Sequence, residues 1–424
     1  MTPPPHSAQF LSKVSPGYGW LVLSLSTMVM VGIYGTELSF GVYVKPLLEE
    51  FGWNRTLVSG TMSILMGISG PFGILTGRMT DKYGPRVVIA LGGLLAASGY
   101  AAMSSANSLW HLYLFFGIFL GLSISTCWPP LIATVSSWFT EKRVLAIGIL
   151  TSGLTMGSMC IPPLIASLID ICGWRASFCV MALIVVITTL PALFVLRKRP
   201  NGDFESPHQA EKEGGAITDE DASVGRHEWT ALGAAGTLSF LMILTVGFVT
   251  ASGFFFLAVH LVPYATDLGF KPTSAALILS FLSIGNILGK LLAWVLARRL
   301  GNRLTLALFV GLQALAIISL VAANALWLLF ALGALFGFGL GGSMAIRMSL
   351  IPDFFGTAVV GTLVGIAGNA WGLGGIIGPV LAGYIFDRSQ SYDLAFLAGG
   401  SLLLMGVVAS FLLKPPDDGP GNPF

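Results

Sequence analysis

Charged side chains are scarce in this 424-residue sequence: Asp, Glu, Lys and Arg make up 10% of it, against 54% hydrophobic residues. Soluble domains carry about 25% charged residues. A chain of this size could not face water everywhere with so few, so lipid must be its main solvent. The net charge of +2 is too small to mark a nucleic-acid binder. Cysteine and histidine are equally thin. Cys127, Cys160, Cys172 and Cys179 fall in apolar stretches without CxxC spacing or neighbouring histidines, so neither a zinc site nor a disulfide framework is indicated. No metal and no cofactor are expected. A Gly-rich phosphate loop and a nucleophile beside a base are also missing, which argues against an enzyme. Residues 1–16 are proline-rich and polar and lack the basic opening of a signal peptide; the first apolar stretch is therefore read as a membrane helix.

What is abundant is apolar sequence in long runs, with a mean hydropathy of +0.83. Runs of 18 or more residues between polar breaks mark membrane-spanning helices. They are expected at 18–43, 56–79, 86–105, 109–135, 143–168, 174–196, 237–265, 274–297, 303–322, 326–349, 358–385 and 393–413. The fold class is thus an all-α membrane protein of twelve transmembrane helices. Between the sixth and seventh spans the sequence turns charged and rich in Gly, Ser and Pro, opening with Arg197-Lys198-Arg199. This composition describes a solvated linker, dividing the chain into a bundle at 1–196, a linker at 197–236 and a bundle at 237–424. With both termini in the cytoplasm, sixteen Lys and Arg fall in inner loops and tails, Arg347 among them, and five (Lys45, Arg55, Arg175, Lys271, Arg388) fall outside. The positive-inside bias supports that orientation.

The two bundles read as copies of one unit. A shift of 217 residues superposes Pro46 on Pro263, Gly52 on Gly269, Gly84 on Gly301, Arg86 on Arg303, Pro162 on Pro379 and Asp170 on Asp387. All six pairs are residues that punctuate helices. Because each copy has an even number of spans, both insert the same way round, as parallel repeats related by an axis along the membrane normal.

The loop after the second span, Gly77-Arg78-Met79-Thr80-Asp81-Lys82-Tyr83-Gly84-Pro85-Arg86, closely resembles the major facilitator motif G-x-x-x-D-x-x-G-[RP]-[RK]. Gly84 allows a tight turn, Gly77 a close helix approach, and Asp81 with Arg78 and Arg86 can form ion pairs that break and reform as the halves rock. The second copy is degenerate, with Arg298 in place of Asp81. Three further stretches are similar to the monocarboxylate transporter and oxalate/formate antiporter branch, as found in bacteria. They are Gly17-Tyr18-Gly19-Trp20 with Phe40-Gly41-Val42-Tyr43, then Trp138-Phe139-Thr140-Glu141-Lys142-Arg143, and His260-Leu261-Val262-Pro263 with Ser283 to Lys290. The resemblance implies alternating access around a central cavity, with a substrate-binding cation at Lys290. It also implies departures: many members carry arginine at Lys290, animal members carry aspartate at Asn286, and their first-helix lysine aligns with Leu38.

Three ionisable residues lie well inside the expected spans: Glu37, His260 and Lys290. A charge in hydrocarbon costs about 2.5–3.5 kcal/mol on insertion scales, so each calls for a water-filled path or a partner. Lys290 stands eight residues before Arg298, about 12 Å deep at ~1.5 Å per residue, and shares a helix face with Asn286. Together they offer a cation and an amide to a carboxylate; the plain alternative is a lysine snorkelling to the headgroups. Glu37 is a candidate to take up and release a proton, as are His260 and Lys290; a structural hydrogen bond is the alternative for Glu37 and His260. Tyr34, Trp128, Asn369 and Trp371 could supply the wall beside a bound acid, although membrane aromatics more often serve packing.

These readings point to a secondary transporter of small organic anions. The leading form is proton-coupled symport of a monocarboxylate such as lactate or pyruvate. Organic-anion exchange and export of drug-like compounds are alternatives, and a non-transporting sensor is disfavoured by the short tails. A monomer in a bacterial inner membrane, with both termini cytoplasmic, is expected.

Overall fold

A computed structural model describes residues 17–139, 143–196, 230–355 and 360–415; the greater part of the expected linker, 197–229, lies outside the described residues. The described chain is helical throughout. Helix α1 spans Tyr18–Phe51, α2 Arg55–Tyr83, α3 Pro85–Met103 and α4 Leu109–Trp138. Helices α5 (143–172) and α6 (174–195) follow, joined at Gly173. After the linker come α7 (Leu238–Asp267), α8 (272–300) and α9 (302–319), the last two joined at Gly301, then α10 (Leu326–Phe355), α11 (Val360–Ser389) and α12 (Asp393–Leu412). Among the described residues, nine continuous stretches are long and apolar enough to cross a membrane. Two of them hold the pairs α5–α6 and α8–α9, and α2 joins them despite its Gly- and Ser-rich sequence, which accounts for all twelve expected spans. The helices outrun the apolar segments, α1 reaching Phe51 and α10 Phe355, because helix continues beyond the hydrocarbon until a turn residue stops it.

The turns repeat at the offset read from the sequence. Gly84 (φ 82°, ψ 161°) and Gly301 (φ 77°, ψ 158°) adopt one conformation, open only to a residue without Cβ. Arg86 donates to the carbonyls of Leu196 (2.6 Å) and Phe194, and Arg303 donates to that of Phe411 (2.6 Å), which lies 217 residues beyond Phe194. One pair has diverged: Gly173 has φ 80°, whereas its counterpart Gln390 holds φ 55° with a side chain present.

Buried apolar side chains form two clusters, one drawn mainly from α1–α6 and one from α7–α12, with Trp371 and Phe254 packed against both. Within the second, α8 and α10 lie almost backbone to backbone. A Cβ on Gly289 would stand 2.0 Å from the Phe338 carbonyl, and one on Gly341 2.0 Å from that of Asn286. Gly285 and Gly337 are equally tight. Each helix thus presents a G-x-x-x-G face to the other, the small-residue packing that membrane helices use for close approach.

Candidate functional site

The first half interrupts two of its helices. In α1 the helix interrupts at Leu38–Ser39, where the Ser39 amide turns back to the Thr36 carbonyl (3.2 Å). In α4 it interrupts at Thr126–Cys127, ahead of Pro129 and Pro130. Pro129 has no N–H for the Ser125 carbonyl, and the Thr76 hydroxyl of α2 donates to that carbonyl instead (2.5 Å). Beside these breaks lie Tyr34 and Trp128, edge to face with centroids 6.1 Å apart, together with Leu38. Glu37 is buried here, 2% exposed, and forms no hydrogen bond or ion pair among the described residues. The first half thus carries Tyr34, Glu37, Leu38 and Trp128 beside these breaks.

The second half separates its candidates. Asn286 is buried against α10, while Lys290 is half-buried and has no ion-pair partner among the described residues. It borders an opening of about 620 Å³ between α8, α9 and α10, with Trp294, Arg298 and Asp353 on the same wall. On α8, Ser280 donates to the Met159 carbonyl of α5 (2.5 Å) and Ser283 shares a hydrogen bond with Ser158 (2.8 Å). Lys290 follows Ser283 by seven residues, two turns along the same face, while the opening that it borders is lined by α8, α9 and α10. Trp371, on α11, lies 6.2 Å from the rings of both Phe254 and Phe255, and Asn369, two residues before it, is exposed.

His260 is elsewhere. It is fully buried at the end of the molecule remote from the linker, within a network that ties the halves together. Nε2 lies 2.9 Å from the Pro379 carbonyl and 3.1 Å from the Ser59 hydroxyl; Nδ1 lies 3.0 Å from the Tyr392 hydroxyl. A carbonyl only accepts, so Nε2 carries the hydrogen and Tyr392 donates to Nδ1. Arg55 in turn donates to the Tyr392 hydroxyl and pairs with Asp267, and its guanidinium stands 3.8 Å over the Phe386 ring. Asp387 accepts from the Arg55 amide (3.0 Å) and from the amide (2.8 Å) and hydroxyl (2.5 Å) of Thr56, while Lys45 adds a pair to Asp267 at 3.5 Å. Deeper in, Ser63 donates to the Ile376 carbonyl (2.5 Å). In this conformation both nitrogens of His260 are committed to closing that end, away from Lys290.

At the linker end the described hydrogen bonds join helices of the same half: Tyr18 to Val195 (2.6 Å), Arg86 to α6, Arg303 to α12. The motif residues Gly77, Arg78, Gly84 and Arg86 lie at this end, Arg78 exposed and Arg86 committed within its own half; the side chain of Asp81 lies outside the described residues.

Arg347 is a correction. Its place two residues from the end of the apolar run at 326–349 puts it among the loop cations by sequence. The apolar sequence in fact continues through Leu350 and Ile351, and α10 reaches Phe355. Arg347 is therefore inside the span and is the largest fully buried side chain of the described residues, 1% exposed. The signal that could have found it was an arginine with apolar residues on both sides. The closing network of Arg55, Asp267, Asp387 and Tyr392 was also missed. Asp387 alone had left a trace, as a repeat marker.

The sequence profile of the Major Facilitator Superfamily matches residues 23–322 and 241–424. Monocarboxylate transporter 13 of Rattus norvegicus is 29% identical, over 92% of this chain and 87% of its own length. Monocarboxylate transporter 11 of Homo sapiens is 26% identical, over 95% of this chain and 85% of its own. Among solved structures, a bacterial homologue of the human lysosomal transporter Spinster, inward-facing and unoccupied, superposes with a TM-score of 0.77 at 16% identity, covering 97% of this chain and all of that one. These relatives are transporters rather than enzymes. With twelve helices in two offset copies and a profile match running from residue 23 to the last residue, the chain is a multi-pass membrane protein that belongs to the major facilitator superfamily.

Proposed function

We propose that this transporter carries small organic anions, in the first place monocarboxylates such as lactate or pyruvate, by proton-coupled symport. The observation that carries the reading is Lys290: a half-buried cation inside the bilayer region, without an acidic partner among the described residues, two turns along α8 from the Ser283 that meets Ser158 of the first half. Asn286 stands one turn away and Leu38, Tyr34 and Trp128 supply apolar wall in the other half. The names of the relatives support the substrate class. A lysine offers the carboxylate a point charge rather than the planar fork of an arginine.

Glu37 supports proton coupling. It is a buried carboxyl without a bonded partner among the described residues, and a proton carried with the anion removes the cost of moving its charge against the membrane potential, about 2.3 kcal/mol per 100 mV. The halves 1–196 and 237–424 rock about the cavity, with the loop Gly77–Arg86 as the switch between them. The end remote from the linker is closed by hydrogen bonds between the halves, which corresponds to an inward-facing state with both termini cytoplasmic, and the protein works as a monomer in a bacterial inner membrane. The test is uptake of labelled lactate, pyruvate and acetate into proteoliposomes, with and without an inward proton gradient, beside Lys290→Ala. Gradient-driven uptake lost in Lys290→Ala supports the reading; wild-type indifference to all three acids, in a folded preparation, overturns it.

A further inference from the structure

The second half holds another buried cation, on the helix packed against that of Lys290. Arg347 lies eight residues before the end of α10, about 12 Å in at ~1.5 Å per residue. Its guanidinium rests against the backbone of α7: a Cβ built on Gly247 would fall 2.3 Å from Nη1. On another side its Cζ stands 5.7 Å from the centroid of Trp371. Nη1 is buried without any hydrogen-bond partner, and no ion pair reaches the group among the described residues.

A guanidinium has five N–H donors and no acceptor. An aromatic face attracts the charge but takes none of those hydrogens in the way an oxygen does. Buried cations in membrane proteins pair or mark a ligand path, and the missing partner here is an anion that the chain itself does not provide. The planar fork suits a carboxylate, which it binds through two parallel hydrogen bonds. The surroundings specify the rest of the ligand. Trp371 packs against both apolar clusters and so stands between Arg347 and the space dividing the halves. Phe254 and Phe255 flank it, each with its centroid 6.2 Å away. An acid entering beside Trp371 would present its carboxylate to Arg347 and its body to three aromatic rings.

We propose that Arg347 and Trp371 form a carboxylate-binding site of their own, selective for monocarboxylates that carry an aromatic or similarly bulky apolar group. The proposal rests on the organic-anion reading above but not on Lys290. Arg347 supplies the charge and the bidentate geometry, and Trp371 with Phe254 and Phe255 supplies the selectivity for the body. The spacer at Gly247 leaves room for the guanidinium; alanine there would displace it while keeping the charge.

The test uses the purified full-length protein in nanodiscs and three probes: phenylacetate, acetate and the uncharged phenylacetamide. Calorimetric titration of the wild type is expected to give phenylacetate at least 10-fold tighter than either of the others. Arg347→Gln should weaken phenylacetate at least 10-fold and abolish the preference for acid over amide, whereas Arg347→Lys keeps part of that preference. Trp371→Leu should lose the preference for phenylacetate over acetate while still favouring acid over amide, a split that general damage to the fold would not produce. Gly247→Ala guards against misfolding of the arginine variants: it retains every charge and should weaken phenylacetate several-fold. The proposal is overturned if Arg347→Gln and Gly247→Ala, both monodisperse with wild-type melting temperatures, bind phenylacetate as the wild type does. Should Lys290→Ala abolish acid binding while Arg347→Gln leaves it intact, the organic-anion reading survives and this site fails. If the wild type does not distinguish acid from amide, both fail.

Discussion

Where α2 meets α11 at the end remote from the linker, Asp387 accepts three hydrogen bonds from Arg55 and Thr56, and Arg55 reaches across to Asp267 and Tyr392. At the linker end of the same bundle, Arg86 and Arg303 spend their hydrogen bonds on carbonyls of their own halves. The two ends therefore do different work with similar residues. One set of charges joins the halves and must be broken for that end to open. The other braces each half internally. A buried guanidinium network is also costly to disrupt by halves, since removing one partner leaves the others unmatched.

The largest effect is expected at Arg55. Breaking a fully buried ion pair from one side costs about 3–5 kcal/mol; Asp267 is 33% exposed, which lowers that figure, but Arg55→Ala also removes the bond to Tyr392 and should shift the population away from the closed state more than any other single change. A single cysteine at Ser63, in a background freed of the native cysteines, should then react with an impermeant maleimide from that end; equal labelling in both backgrounds would mean that the network does not hold the end shut. Asp387→Asn keeps the shape but loses the charge behind three charge-assisted bonds. At roughly 1.5–3 kcal/mol for hydrogen bonds to a charged group, it should give intermediate labelling and slower transport. His260→Ala removes the acceptor for Tyr392 and leaves Pro379 and Ser59 without their partner. About 1–3 kcal/mol is expected for such unsatisfied buried groups, seen as a lower melting temperature together with modest labelling. Lys45→Ala should do least, since its pair with Asp267 is 35% and 33% exposed and exposed pairs contribute about 1 kcal/mol or less. Raising the salt concentration should erase even that difference.

The architecture was legible because it is written in local pattern: apolar runs, turn glycines at Gly84 and Gly301, and an offset of fixed length. The Arg86 and Arg303 braces follow from the same offset. The closing network was not legible, because Arg55, Asp267 and Asp387 each look like ordinary loop charges until the fold brings together residues more than 200 positions apart. Arg347 escaped for another reason: it stands two residues from the end of the run at 326–349 and so passes for a loop cation, whereas α10 continues to Phe355. His260 drew attention as a titratable group, yet its ring serves as a hydrogen-bond junction in this conformation. Gln390 shows the limit of reading a repeat by identity, since it keeps a positive φ at the position of Gly173 without keeping the glycine.

The glycine contact between α8 and α10 has a further consequence for movement. Helices pressed together with carbonyls where side chains would otherwise stand have no soft layer in which to slide. Lys290 and Arg347, one on each helix, are consequently mounted on a single stiff strut. As the transporter cycles, the gap between each cation and the first half must change, but the separation between the two cations must not. A ruler laid from α8 to α10 should read one length throughout the cycle, while one laid from α2 to α11 at the Asp387 end should read two.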